Sequence, residues 1–557
     1  MRGYFCRPIY KFVVEIGGKT VSLAIVLAFV VSLAGCTKTS HGGGSSKSET
    51  FYMNLGGEPT TLHPITSTDL YSTTVQSYVM DSLMFRNEDT YEWQPALAES
   101  YEISKDGKEF TFKIRQGATF FDGSPITVAD VKFSFDIIFN KDYNAAHLWP
   151  YYSEIKECVI VDDSTVKFVT GSKYFNNFDV VAGLSILPKK IYGEVAKAKK
   201  ITTDIHASGP YKIASYERGK RLVLEHNTNW WGHRVETLKG LYRFNRIVMR
   251  FVQDQNVSLE MLKKGDLDYI GMSPELFVQK AQGAPFGDRV LKKQVQNDAP
   301  VPYAFVAWNL KNPMFQDRRT RVALGMLMNR ELMIEKFEFG LSMPATGPWY
   351  QQSMFASPKV KALPFAPQEA LKLLREAGWS DSDKDGVLDR KLDGKKTNLS
   401  FSIVSASKDR EKYLTVYKED LKKVGVDATI KMVEWNTLTK ILDERNFEAV
   451  NLGWGGGAVD NDPKQIWHSS SAGKNGSNFI HYSNPKVDQL IDQARTLLKR
   501  EERIPVMQKI YEMIAEDAPY AFMFNQKYVL YGVNQRIGQE KDTYRYSIGR
   551  ERWWLKP

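Results

Sequence analysis

Two periods of hydrophobic spacing alternate along this chain. Phe51 to Leu55 reads as a strand and is broken by Gly56-Gly57-Glu58-Pro59. Tyr101 to Phe120 alternates apolar and polar residues around Asp106-Gly107, a strong hairpin signal that puts Phe110, Phe112 and Ile114 on one face. A helix is predicted from Thr127, with Thr127 as N-cap and Asp130 three positions later. Asp254 to Lys264 reads as a helix stopped by Gly265, and Asp268 to Gly271 returns as a strand. Helical spacing dominates from Pro313 to Lys336 and again from Gln368 to Ala377. Leu399 to Val404 and Val426 to Val433 are strands flanking a helix, Lys408 to Val424. Residues 485–515 hold two amphipathic helices, and Ala521 to Phe524 is a candidate buried strand. The pattern is α/β, and no internal repeat interrupts it.

The amino terminus follows a different rule. Residues 1–19 are basic on balance, and Val21 to Ala34 is apolar except for Ser22 and Ser32. Such a run is short for a membrane span and suits the core of a signal peptide. It ends in Leu33-Ala34-Gly35-Cys36, which resembles a bacterial lipobox and makes Cys36 the expected lipid anchor after removal of residues 1–35. Residues 36–50 include Gly42-Gly43-Gly44-Ser45-Ser46, the composition of a flexible tether.

Bulk composition narrows the picture. At 557 residues the chain exceeds one compact core. The net charge of +10 is spread among acidic neighbours, so a nucleic-acid surface is not expected. Cys6, Cys36 and Cys158 form neither a disulfide framework nor a metal spacing, and Cys158 reads as a small buried hydrophobe. No metal or cofactor is expected. Gly-x-Ser-x-Gly, His-Glu-x-x-His and the phosphate loop are all missing, which argues against an enzyme. Two segments imitate known sites. Gly453-Trp454-Gly455-Gly456-Gly457-Ala458 fits a dinucleotide pattern, but turn-like Val459-Asp460-Asn461-Asp462-Pro463 follows where that motif needs a helix. Asp381-Ser382-Asp383-Lys384-Asp385-Gly386 imitates a calcium loop, yet its twelfth position is Leu392, so an aspartate-rich hairpin turn is the better reading.

Several segments in order resemble the bacterial extracellular solute-binding family that includes the oligopeptide- and dipeptide-binding proteins of ABC transporters. They are Leu97-Ala98-Glu99-Ser100 through Asp130-Val131-Lys132-Phe133-Ser134, then Ser208-Gly209-Pro210-Tyr211 with Trp230-Trp231, then Leu259, Leu262, Gly265 and Asp268. Asn309-Leu310 through Leu324 and Asn484-Pro485 with Asp517-Ala518-Pro519 complete the set. The resemblance implies a bilobal, periplasmic-binding-protein-like fold of type II, with an extra subdomain in the first lobe. Residues 51–88, 207–300 and 516–557 would build that lobe, 89–206 the inserted subdomain, and 301–515 the second lobe.

It also implies a function: capture of an oligopeptide between closing lobes and delivery to permease subunits, by a monomer tethered outside the cytoplasm. Main chain from both lobes would pair with the ligand like added strands. By carry-over, Gly56, Gly57 and Glu58 supply one edge, and Gly453, Trp454 and Gly455 the other, with Tyr303 beside them. An aspartate after the Gly-Trp pair would meet the ligand's α-ammonium, and Asp460 is the expected residue, with Asp462 as its rival. The same family takes nickel chelates, haem, glutathione and sugars, which remain alternative cargoes. A secreted hydrolase is the competing class, and it would need a nucleophile–base pair assembled from distant residues.

Overall fold

The computed structural model describes residues 49–557 apart from 144, 146, 474 and 475. The signal segment, Cys36 and nearly all of the tether lie outside the described residues.

Three sheets organise the chain. The first has seven strands in the order Val290–Val295, Val529–Asn534, Tyr269–Gly271, Thr50–Asn54, Arg246–Arg250, Arg221–His226 and Tyr211–Glu217. Thr50–Asn54 runs parallel to Arg246–Arg250, and most other pairs are antiparallel. The second sheet has six strands in the order Ser342–Pro344, Tyr520–Gln526, Tyr303–Trp308, Ala449–Trp454, Ser400–Ser405 and Asp427–Met432. The third has four antiparallel strands, Ala98–Ile103, Glu109–Ile114, Thr165–Thr170 and Ile155–Ile160, in that order.

Burial follows the alternation. Phe110, Phe112 and Ile114 enter the core of the four-stranded sheet with Phe168 and Cys158. Burial pushes the Cys158 thiol up to about 12, as befits a packed hydrophobe. Every residue of Tyr303–Trp308 is buried, because this strand is central and covered on both faces. Ala304, Val306 and Trp308 enter one core, and Tyr303, Phe305 and Ala307 the other.

Local chemistry sets the helix ends. Thr127 and Asp130 form the expected capping box ahead of Val128–Phe139, a device of about 1 kcal/mol. Asp254 caps Gln255–Lys264, and Gly265 closes it at φ 78°. Pro313 to Lys336 is largely helical as expected, divided into a short 3-10 turn and two helices, Arg318–Met326 and Arg330–Phe337. The break is chemical: Asn329 caps the second helix, and the buried Arg330 guanidinium donates to the carbonyls of Gly325, Met328, Leu363 and Phe522. The aspartate-rich turn leads into the hairpin Asp389–Leu392/Lys395–Asn398. Exposed Asp381, Asp383 and Asp385 converge there within 4.8 Å, and Lys396 pairs with Asp383.

The chain passes from the seven-stranded to the six-stranded sheet between Val295 and Tyr303, and returns between Gln526 and Val529. The return lies beyond the expected boundary at 516, because Tyr520–Gln526 pairs with Tyr303–Trp308 in the six-stranded sheet. Each sheet carries one lobe, and two short crossings join them.

Candidate functional site: the cleft between the lobes

The strand Ala449–Trp454 has two unlike edges. On one side it pairs with Tyr303–Trp308 along its whole length, from Ala449↔Trp308 to Trp454↔Tyr303. On the other, its pairing with Ser400–Ser405 ends at Val450↔Val404. That neighbour turns away at Ser405 into the helix Lys408–Lys422. Asn451 to Trp454 are therefore strand-paired on one side only. A free edge of this kind can accept another extended backbone.

Gly453 sits on this open stretch, where a side chain would crowd its neighbours. A Cβ there would lie 2.5 Å from Arg410 Nη2 and 3.1 Å from the Tyr303 carbonyl oxygen. A Cβ on Gly455, two residues on, would meet nothing within 4 Å. Trp454 is half-buried, its ring 5.8 Å from that of Phe479 and its indole N–H donating to the Tyr520 hydroxyl at 3.4 Å. The Tyr303 side chain is committed to the core: it is 4% exposed and its hydroxyl donates to the Pro348 carbonyl. Only its backbone remains for the cleft. Beside this edge lies a cavity of about 690 Å³, within the ~300–1,000 Å³ usual for ligand sites. Gln253, Ser273 and Glu275 line it from the first lobe, and Arg410, Lys412 and Asn525 from the second.

Gly56, Gly57 and Glu58 follow the strand Thr50–Asn54 of the seven-stranded sheet. Tyr71 packs so closely on Gly57 that a Cβ would lie 2.5 Å from its ring. The Glu58 carboxylate accepts from the Tyr216 hydroxyl and the Gly219 amide, both at 2.9 Å, and so pins the turn between Tyr211–Glu217 and Arg221–His226. Its side chain thus serves its own lobe.

Asp460 and Asp462 face the four-stranded sheet. Asp460 is 6% exposed. Arg500 grips it with Nε–Oδ1 at 3.0 Å and Nη2–Oδ2 at 2.8 Å, and Arg503 donates to Oδ1 as well. Burial works to raise this carboxyl, but the two guanidiniums prevail and hold it below the ordinary carboxylate range. Each oxygen is already held by a guanidinium, so a ligand ammonium would have to compete with Arg500 and Arg503 for this carboxylate. Asp462 accepts from the Tyr174 hydroxyl at 2.6 Å and pairs with Arg495. Arg500 also reaches Glu92, Arg495 covers the Tyr174 ring at 4.0 Å, and Arg503 covers Phe175 at 4.2 Å. These contacts clasp the second lobe to the four-stranded sheet region. Across the cavity, Glu275 of the first lobe stands 3.9 Å from Lys412 of the second.

Neither Arg410 nor the clasp residues Glu92, Tyr174, Arg500 and Arg503 stood out in the sequence. Arg500 and Arg503 share a helix face at i,i+3 spacing, but no local motif links them to Asp460.

Two lobes on separate sheets, two crossings and a cavity between them beside an open strand define a bilobal solute-binding protein of the periplasmic type II class. The chain belongs to the bacterial extracellular solute-binding proteins, family 5, whose middle region matches residues 92–476. It is 27% identical over 565 residues to the oligopeptide-binding protein AppA of Bacillus subtilis (strain 168), covering 96% of this chain and 98% of that protein. The structure of B. subtilis AppA in complex with a nonapeptide superposes with a TM-score of 0.72 at 26% identity, over 91% of this chain and 99% of that one. NikZ from Campylobacter jejuni in complex with Ni(L-His) shares the fold, with a TM-score of 0.73 at 22% identity over 91% and 99%. Among the described residues, no helix is long and apolar enough to cross a membrane.

Proposed function

We propose that this protein binds oligopeptides outside the cytoplasm and delivers them to the permease of an ABC importer, tethered through a lipid on Cys36. The observation that carries this reading is the open edge from Asn451 to Trp454 beside a cavity lined from both lobes. A peptide can add there as a strand, satisfying its own amides and carbonyls without reference to its side chains. Gly453 and Gly455 admit its backbone, Trp454 flanks it, and Gly56 and Gly57 of the first lobe supply the opposing edge. Asp460 has its carboxylate in the clasp, so its part is to hold the closed form. The near full-length similarity to an oligopeptide-binding relative supports the same reading. It is a reading of capture and release, in which no covalent bond is made or broken.

The test is mass spectrometry of small molecules released by denaturing protein purified from a bacterial host. A heterogeneous set of short peptides is the expected result. A single nickel chelate, haem, glutathione or sugar would overturn the peptide assignment.

A further inference from the structure

The second lobe holds another cavity, of about 240 Å³, which shares no lining residue with the cleft. The helix Arg318–Met326, the loop around Val360 and the end of the helix Arg500–Asp517 enclose it against Tyr520 and Phe522 of the six-stranded sheet. Arg330 reaches it from the start of Arg330–Phe337 and is only 4% exposed. Its Nε and Nη1 are committed to the carbonyls of Phe522, Gly325, Met328 and Leu363. Its Nη2 makes no hydrogen bond among the described residues. Among those residues no carboxylate pairs with this guanidinium, and burial pushes it down to about 10. The two glutamates that line the cavity are engaged elsewhere: Glu512 with Ser357, Lys359 and Lys509, and Glu516 with Arg318. Arg503 is equally buried, but it has Asp460 as its counter-charge. A buried cation without a counter-charge is costly, and four carbonyls offset only part of that cost.

We propose that this cavity is a second binding site, for a small organic monocarboxylate whose charge is met by Arg330 Nη2. The site stands apart from the cleft and does not depend on peptide capture. Three features set its chemistry. One free nitrogen with two N–H donors suits a single carboxylate, and the Thr346 hydroxyl is already bonded to that of Tyr511. Glu512 and Glu516 in the wall oppose a doubly charged anion such as phosphate. The remaining lining is largely apolar, and Val322, Val360, Ala515, Tyr520 and Phe522 are placed to bury an apolar body. The ligand brings the counter-charge that the fold omits.

Full-length protein is refolded from denaturant into buffer free of carboxylates, then titrated by calorimetry with benzoate, benzamide and phosphate. Benzoate is expected to bind roughly tenfold or more tightly than benzamide, its uncharged counterpart, as a charged hydrogen bond to a buried guanidinium requires. Phosphate should bind more weakly than benzoate. Ala515→Leu fills the cavity with a side chain that its helix accepts, and should abolish benzoate binding. Arg330→Met should bring benzoate and benzamide within about threefold of each other, since the charge that tells them apart is gone. Circular dichroism confirms folding of each variant. Should Arg330→Met fail to fold for want of its carbonyl bonds, Ala515→Leu decides alone. Absence of benzoate binding to wild type overturns the proposal. So do equal affinities for benzoate and benzamide, phosphate binding more tightly than benzoate, or undiminished benzoate binding by Ala515→Leu. None of these results bears on peptide capture in the cleft.

Discussion

Replacing Asp460 by asparagine removes one charge while nearly conserving shape. Arg503 is buried, and the Arg500 side chain is only 14% exposed. Losing the carboxylate strands two cations, and an asparagine amide turned toward them would oppose donor to donor. Breaking a buried ion pair from one side costs roughly 3–5 kcal/mol. Arg503 keeps the carbonyls of Leu497 and Leu498 as acceptors at 3.0 and 2.9 Å, and Arg500 keeps Glu92, so about 3 kcal/mol is expected here. Urea unfolding of ligand-free protein measures it. The pH dependence is a sharper check. The folded Asp460 carboxyl titrates below its unfolded value of about 3.9, so its stabilisation is complete above that value and fades as pH falls through the folded value. The gap between wild type and variant should be level from about pH 6 to 8 and shrink below about pH 4. Replacing Arg503 by methionine in the variant should recover part of the loss, since the stranded charge is then gone. Equal stability of Asp460→Asn and wild type at pH 7, or a gap that widens in acid, would refute this account. The same variant tests the ammonium role: N-acetylated and free peptides should lose equal affinity if Asp460 serves only the clasp.

Gly453→Ala should fold with a penalty of about 1 kcal/mol, since Arg410 can yield but the Tyr303 carbonyl cannot, while calorimetry shows peptide affinity falling tenfold or more. Asp81 is buried beneath the indole N–H groups of Trp230 and Trp231, and burial pushes its carboxyl up to about 6. Its ionisation therefore costs stability above that pH. The cost is relieved as pH falls from about 6 to 4, and Asp81→Asn should abolish that trend in unfolding midpoints. Cys36→Ser should leave the fold intact and shift the protein from the membrane to the soluble fraction; undiminished incorporation of labelled fatty acid would defeat the anchor assignment.

How much the sequence disclosed depended on the range of the interactions involved. The Asp106-Gly107 hairpin, the Thr127/Asp130 box and the Gly265 stop are written within a few residues, and each is present. The helix break at Asn329 was hidden because the carbonyls that hold Arg330 include Leu363 and Phe522, far along the chain. Site residues divided the same way. Gly453 and Gly455 come from the family resemblance, with which the freedom of glycine to admit a close backbone agrees. Asp460 is marked by its place after the Gly-Trp pair and expected to meet a ligand ammonium, whereas its partners Arg500 and Arg503 lie on a later helix and carry no local signal. Arg410 carried no signal at all: an arginine early in a charged helix looks solvated until the fold lays it on Gly453.

The place of Val529–Asn534 bears on how such a chain comes into being. This strand is inserted between Tyr269–Gly271 and Val290–Val295, and Val290–Val295 pairs with nothing else in its sheet. A growing chain made only as far as Gln526 has every strand of the second lobe's sheet but leaves the first lobe's sheet with a vacant slot. Pairing across that slot joins residues more than two hundred positions apart, a slow closure that local contacts cannot anticipate. The first lobe is thus barred from completing itself until synthesis is nearly over. Were the chain exported, as its amino terminus predicts, it would stay unfinished, and threadable, for almost its whole length.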